Sequence, residues 1–235
     1  MIYNIRGTSG SGKTTVVREL VNSVSHEVVE IPWLKNKTKI IGYRLPNHLY
    51  VVGRYDDAIK GGGVDNVTGV LLNQFKAQGG EGNSMDAVES VVRAMDDIGY
   101  HVMFEGLIVT SVWGRWERMA KELPVHFLFL DTPLEVCYQR VLERSGGRSP
   151  KGWNEGKSDL HAKHGSSSKQ MASIKRRDGE VKRQQSSLED FYGRQTKRHL
   201  PTVKEFGMRY TELDHTRAYL QLREILSREI GFPEV

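Results

Sequence analysis

Residues Gly7-Thr8-Ser9-Gly10-Ser11-Gly12-Lys13-Thr14 fit the pattern G-x-x-x-x-G-K-[ST] at every position. These residue types dictate an anion site. Glycines let the backbone turn tightly and approach a ligand closely. Successive N–H groups, followed by a helix N-terminus, cradle phosphate oxygens. Lys13 is the residue to bridge β- and γ-phosphates as a point charge, and the Thr14 hydroxyl is the residue to hold Mg²⁺. Thr15 follows at the start of the helix and joins the expected nucleotide contacts. The chemistry expected is therefore binding of a nucleoside triphosphate, with ATP and Mg²⁺ as donor and metal.

Such a loop functions only between a strand and a helix. Ile2–Arg6 reads as a short buried strand and Thr15–Val21 as the first turns of a helix. Downstream, strand-like runs alternate with helical ones. Strands are expected at 26–31, 39–44 and 49–55, with Pro46-Asn47 marking a hairpin turn. Helices are expected at 65–78, capped by Asp65-Asn66, and at 84–98. A strand at 101–107 carries Glu105 near its end, and a helix follows at 111–123. The apolar run Val125–Asp131 has the character of a central parallel strand. A helix at 132–144, a charged helical segment at 170–198 broken at Asp178-Gly179, a strand at 209–214 and a helix at 216–230 complete the chain. The alternation predicts an α/β fold, a parallel sheet covered by helices on both faces.

In such sheets ligands sit at the carboxyl ends of the strands. The phosphate loop, Asp56-Asp57 and Glu105 all fall there. Phosphoryl transfer needs an acceptor oxygen and often a carboxylate to take its proton. Asp56 is the first choice of base, with Asp57 and Asp65 as rivals. Glu105 either orients Mg²⁺ through water or is itself the base. Arg140 and Arg144 are four residues apart and share one helical face. Guanidiniums there can stack on adenine or neutralise charge as the γ-phosphoryl moves, and Arg144 is taken as catalytic as well as nucleotide-binding. A GTPase would show Asn-Lys-x-Asp, but Asn36-Lys37-Thr38-Lys39 lacks the aspartate. Motor ATPases carry a strand ending in Asp-Glu, whereas this one reads Phe104-Glu105-Gly106. Phe129–Arg144 is similar to the strand and lid-entry helix of small P-loop kinases.

The chain has 235 residues and a formal charge of +5. Thirteen Lys/Arg against six Asp/Glu lie between Arg148 and Leu200, so the basicity is local. Residues 1–148 and 201–235 read as a kinase core, and 149–200 as a basic lid or insert. Lys175, Arg176, Arg177, Lys182 and Arg183 are candidates to track a nucleic-acid backbone. Trp153, Phe191 and Tyr192 are candidate stacking platforms. The single cysteine, Cys137, precludes an internal disulfide and reads as core. His161 and His164 lack the further ligands a metal site needs. Neither a long apolar run nor a leader is apparent, so a cytoplasmic protein is expected, in the host cell if phage-encoded.

The whole chain resembles a bacteriophage P-loop kinase family. The likeness rests on Asn4–Arg18, Ile41–Arg44, Leu49–Tyr55, Phe104–Leu107, the Phe129–Arg144 stretch and Glu212–Arg217. It implies a 5-hydroxymethyl-deoxyuridine DNA kinase, which phosphorylates the hydroxymethyl group of a modified pyrimidine already in DNA, a step in base hypermodification. The partner implied is DNA containing 5-hydroxymethyluracil, with neither a membrane nor a protein partner. A small-molecule P-loop kinase and a non-catalytic DNA-binding ATPase stand as the alternatives.

Overall fold

The computed structural model describes residues 1–33, 37–57, 61–144, 172, 174–190 and 208–234. Trp153, His161, His164, Phe191 and Tyr192 lie outside the described residues.

The strands are β1 (Ile2–Arg6), β2 (Glu27–Trp33), β3 (Lys37–Leu45), β4 (Leu49–Val52), β5 (His101–Glu105), β6 (Val125–Asp131) and β7 (Met208–Asp214). They form one sheet in the order β2-β3-β4-β5-β1-β6-β7. Pairings from β4 to β7 are parallel, and β2-β3-β4 is an antiparallel meander at one edge. The β3–β4 turn places Asn47 and His48 at φ 56° and 54°. That backbone twist suits a tight hairpin, and asparagine tolerates it.

The helices are α1 (Lys13–Asn22), α2 (Thr68–Ala77), α3 (Ser84–Asp97), α4 (Leu107–Ser111), α5 (Trp113–Met119), α6 (Leu134–Arg144), α7 (residues 174–190) and α8 (Ala218–Ile230). Strand alternation sends side chains to two cores. Ile2, Val102, Phe104, Phe127 and Phe129 meet α2, α3, α5 and α7 on one face. Tyr3, Ile5, Met103, Leu128 and Leu130 meet α1 and α8 on the other. Helices therefore cover both faces of a mostly parallel sheet.

Three local readings change. Residues 107–119 form two helices, α4 and α5, and β5 stops at Glu105. Asp65 does not cap the helix that follows it. It sits in a 3₁₀ turn, Val64–Asn66, and its carboxylate accepts the Leu107 and Ile108 N–H groups at 2.6 and 3.2 Å, capping α4. The break expected at Asp178-Gly179 is absent, because α7 runs through it. A helical glycine costs about 1 kcal/mol. Burial of Ile174, Val181, Gln184 and Leu188 outweighs that cost.

Arg6 fastens α7 to the core. Its side chain is fully buried, and its Nε donates to Gln184 Oε1 at 2.8 Å. Its other nitrogens donate to Asn4 Oδ1 at 3.2 Å and to the Val109 and Thr110 carbonyls at 3.3 and 2.7 Å. The Trp113 ring centroid lies 5.1 Å from the guanidinium carbon. Burial pushes Arg6 down to about 9, which leaves it charged at neutral pH. Arg6→Met should strand those acceptors in the interior. We expect a loss of about 3 kcal/mol, read by urea denaturation. An unchanged midpoint would show that the guanidinium is not holding α7.

Candidate active site

The phosphate loop spans residues 7–12 between β1 and α1. Gly10 and Gly12 have φ of 84° and 99°, a region that glycine enters without strain. A Cβ on Gly10 would stand 2.2 Å from the Cys137 carbonyl oxygen, so the loop lies directly on α6. Thr132 Oγ1 supports it by donating to the Ser11 carbonyl at 2.9 Å. The N-terminus of α1 has no side-chain cap. Its first N–H groups thus remain available to an anion. Lys13 is buried, and its Nζ donates to the Gly7 and Thr8 carbonyls at 2.8 and 2.9 Å. Burial pushes its pKa down, against the pull of Glu105 and Asp65.

A cavity of about 990 Å³ opens over this loop. Ser9, Gly10, Gly12, Lys13, Thr14 and Thr15 form its floor. Gly7, Thr8 and Ser11 belong to the same loop; Thr8 and Ser11 are buried beneath it, and Thr8 Oγ1 donates to the Ile174 carbonyl at 3.2 Å. One wall carries Gly61, Gly62, Asp65, Asn66 and Glu105, from the exits of β4 and β5. Another carries Arg140 and Arg144 from α6. A third carries residues 215–220, between β7 and α8.

Thr14 Oγ1 donates to Glu105 Oε1 at 2.9 Å. Burial pushes the Glu105 carboxyl up, opposed by the nearby Lys13 charge and the Thr14 hydrogen bond. Gly63 makes this packing possible. Its φ is 81°, and a Cβ there would stand 2.2 Å from Glu105 Oε1. A hydroxyl in the first turn of α1 paired with a buried strand-end carboxylate is a hard oxygen donor set, and it fits Mg²⁺.

Asp56 is not brought into this arrangement. Arg54 holds its carboxylate, Nη2 donating to Oδ1 at 3.0 Å, and it does not line the cavity. Asp57 is exposed, 4.0 Å from Arg18. Asp65 is the rival carboxylate that reaches the cleft.

The basic residues of α7 divide. Lys175, Arg176, Lys182 and Arg183 are exposed. Arg176 pairs with Glu180 at 2.5 Å and Lys182 with Asp178 at 2.9 Å. Arg177 instead turns inward, and its Nη1 donates to Ser9 Oγ at 2.7 Å. Burial lowers its pKa, as does Arg176 beside it. Among the described residues its Nε is buried without a partner. Arg177 touches the phosphate loop at Ser9 without itself lining the cavity, and neither that contact nor the 215–220 wall was legible in the sequence, because each arrives from a remote segment. The Glu212–Arg217 likeness was their nearest signal.

A family model described as 5-hmdU DNA kinase matches residues 1–157. The chain belongs to the 5-hmdU DNA kinase family. Relatives within the family carry the same description. The 5-hmdU DNA kinase of Pseudomonas phage M6 is 34% identical over 146 residues, covering 62% of this chain and 72% of that protein. The 5-hmdU DNA kinase 1 of Salmonella phage ViI is 30% identical over 151 residues, 62% of this chain and 60% of that protein. The 5-hmdU DNA kinase of Pseudomonas phage PaMx11 is 30% identical over 155 residues, 63% of this chain and 71% of that protein. The family match runs from β1 through α6, and so includes the phosphate loop, Asp65, Glu105, Arg140 and Arg144. Arg177 and the 215–220 wall lie beyond it. Among the described residues no helix is long and apolar enough to cross a membrane.

Proposed function

We propose that this chain transfers the γ-phosphoryl of ATP to the 5-hydroxymethyl group of 5-hydroxymethyl-deoxyuridine in DNA, within the cytoplasm of a phage-infected host. The observation carrying this reading is the meeting of an uncapped phosphate loop, the Thr14–Glu105 pair and Asp65 around one cavity. Family membership supplies the acceptor.

The sheet order separates the two substrates. β4 and β5 lie on one side of β1, and β6 and β7 on the other. Residues 215–220, with Arg140 and Arg144, suit the nucleoside end of ATP: Tyr219 offers a ring and the arginines offer stacking or charge. Asp65, Asn66 and Gly62 face the acceptor side. Thr14 and Glu105 would hold Mg²⁺, which neutralises phosphate charge when bound. Lys13 swings from the Gly7 and Thr8 carbonyls to the β- and γ-phosphates. Asp65 accepts the hydroxymethyl proton as that oxygen bonds to the γ-phosphorus. The bond from γ-phosphorus to the bridging oxygen breaks, and ADP leaves. The two N–H groups of α4 fix the Asp65 carboxylate while leaving it further lone pairs. Arg177, seated on Ser9, stabilises charge on the phosphoryl in flight.

Asp65→Asn keeps one of the two hydrogen bonds to α4 through its amide oxygen, gives up the other, and removes the proton acceptor. We expect kcat to fall about 10²–10⁴-fold with KM for ATP nearly unchanged. A kcat within threefold of wild type would return the role of base to Glu105. The function itself is tested by offering γ-labelled ATP with hydroxymethyluracil duplex, thymine duplex or free 5-hydroxymethyl-deoxyuridine. Label should enter only the first. Label on the free nucleoside alone would make the chain a small-molecule kinase. Hydrolysis without a labelled acceptor would make it a DNA-binding ATPase.

A further inference from the structure

One surface outside the cleft has a shape, a charge and a position that together select a partner. β2 and β3 extend beyond the rest of the sheet. Gly42 of β3 pairs with Val52, the last residue of β4. Residues Lys37–Ile40 pair only with β2, Lys37 opposite Trp33 and Lys39 opposite Ile31. Four residues at about 3.4 Å each give a two-stranded ribbon standing roughly 14 Å proud. A bulge between Val29 and Glu30 sets its base, where bulges increase twist.

The ribbon projects from the catalytic edge. β4 and β5 run parallel to β1, so their carboxyl ends lie where Thr14 meets Glu105. β3 runs antiparallel to β4, which brings its amino end to that same edge. Three strand spacings of about 4.8 Å separate β3 from β1, roughly 14 Å.

Its exposed residues are Pro32, Lys37, Thr38 and Lys39. Lys39 Nζ lies 4.9 Å from the Trp33 ring centroid, which holds the ammonium on one face of the ribbon. Glu30 is engaged locally, accepting from Thr38 Oγ1 at 2.7 Å. Among the described residues no ion pair is formed by either lysine. On α7, Arg176 and Lys182 pair within the helix and Arg177 turns to Ser9, which leaves Lys175 and Arg183 as its exposed basic residues outside those contacts.

We infer that the β2–β3 ribbon grips duplex DNA beside the cleft, with Lys37 and Lys39 on the phosphates that flank the modified nucleotide. This rests on the proposed DNA-kinase reading. A two-stranded ribbon fits the major groove, about 12 Å wide, and the 5-substituent of a pyrimidine emerges there. The ribbon thus places the groove bearing the hydroxymethyl group over the edge that holds Asp65.

The test uses the whole chain and Lys37→Ala/Lys39→Ala, with Lys121→Ala before β6 as a control at the opposite edge. Binding to unmodified duplex is titrated against salt, and transfer to hydroxymethyluracil duplex is followed separately. Losing two phosphate contacts should lower the salt slope by about two and weaken duplex binding about tenfold or more at low salt. kcat and KM for ATP should be unchanged, as should all values for Lys121→Ala. Charge reversal, Lys37→Glu/Lys39→Glu, should deepen the loss. A double variant with wild-type slope and affinity overturns the ribbon. Because binding is read on unmodified duplex, failure of transfer by the wild type would defeat the kinase reading without touching this result.

Discussion

Lys13→Ala should lower kcat for phosphoryl transfer by at least about 10²–10³-fold and leave the melting temperature within a few degrees of wild type. The magnitude follows from removing the cation that bridges the β- and γ-phosphates during transfer. The fold survives for a separate reason. Lys13 is a buried cation whose pKa burial pushes down, held by the Gly7 and Thr8 carbonyls at 2.8 and 2.9 Å. Those carbonyls belong to a loop that Thr132 and the α6 backbone already support. Loss of the ammonium therefore removes catalytic charge more than it removes packing. Steady-state transfer assays beside thermal melts check both halves. Wild-type turnover would sink the assigned role, and an unfolded variant would make Lys13 structural.

The second large effect is expected at Arg177. It is one of five basic residues on α7 that the sequence groups together as candidates for DNA contact. The structure separates it from the others by seating it on Ser9 of the phosphate loop. As a stabiliser of transferring charge, its loss by Arg177→Ala should cost about 10³-fold or more in kcat, by the general worth of such arginines. KM for DNA and the salt slope of DNA binding should barely move. A DNA-contact role predicts the reverse: weaker binding and a shallower slope with kcat intact. Arg176→Ala, one residue away and exposed, should leave kcat at the wild-type value. If Arg177→Ala shifts DNA binding and spares kcat, Arg177 returns to the DNA-facing group.

What could be read directly from the chain was local. The phosphate loop declares itself because eight consecutive residues carry its chemistry. The helix at Ser84 was legible because Val88, Val91, Val92 and Met95 recur at helical spacing, and all four pack into one core. β6 was legible because continuous burial demands continuous apolar character, and all but its last residue are buried. What escaped depends on contacts between distant segments. Ile108, Val109 and Thr110 are β-branched and argue against a helix, yet α4 forms there. The cause is Asp65, 42 residues earlier, whose carboxylate caps its first turn. Arg54 holds the Asp56 carboxylate, and of Asp56, Asp57 and Asp65 the last lines the cleft. Helix α7 continues through Gly179 because Gln184 meets the buried Arg6, 178 residues away. Residues 215–220 join the site only because β7 pairs with β6 beside the phosphate loop strand.

In the proposed reaction the triphosphate held at residues 7–14 is aimed at the hydroxymethyl group of a base in DNA. The most direct test is to let the enzyme act on hydroxymethyluracil duplex with γ-labelled ATP, digest the DNA to nucleosides, and locate the label. Label is expected on the 5-hydroxymethyl oxygen of the modified nucleoside. Label confined to a strand's 5′-hydroxyl terminus, or released only as inorganic phosphate, would contradict this reaction.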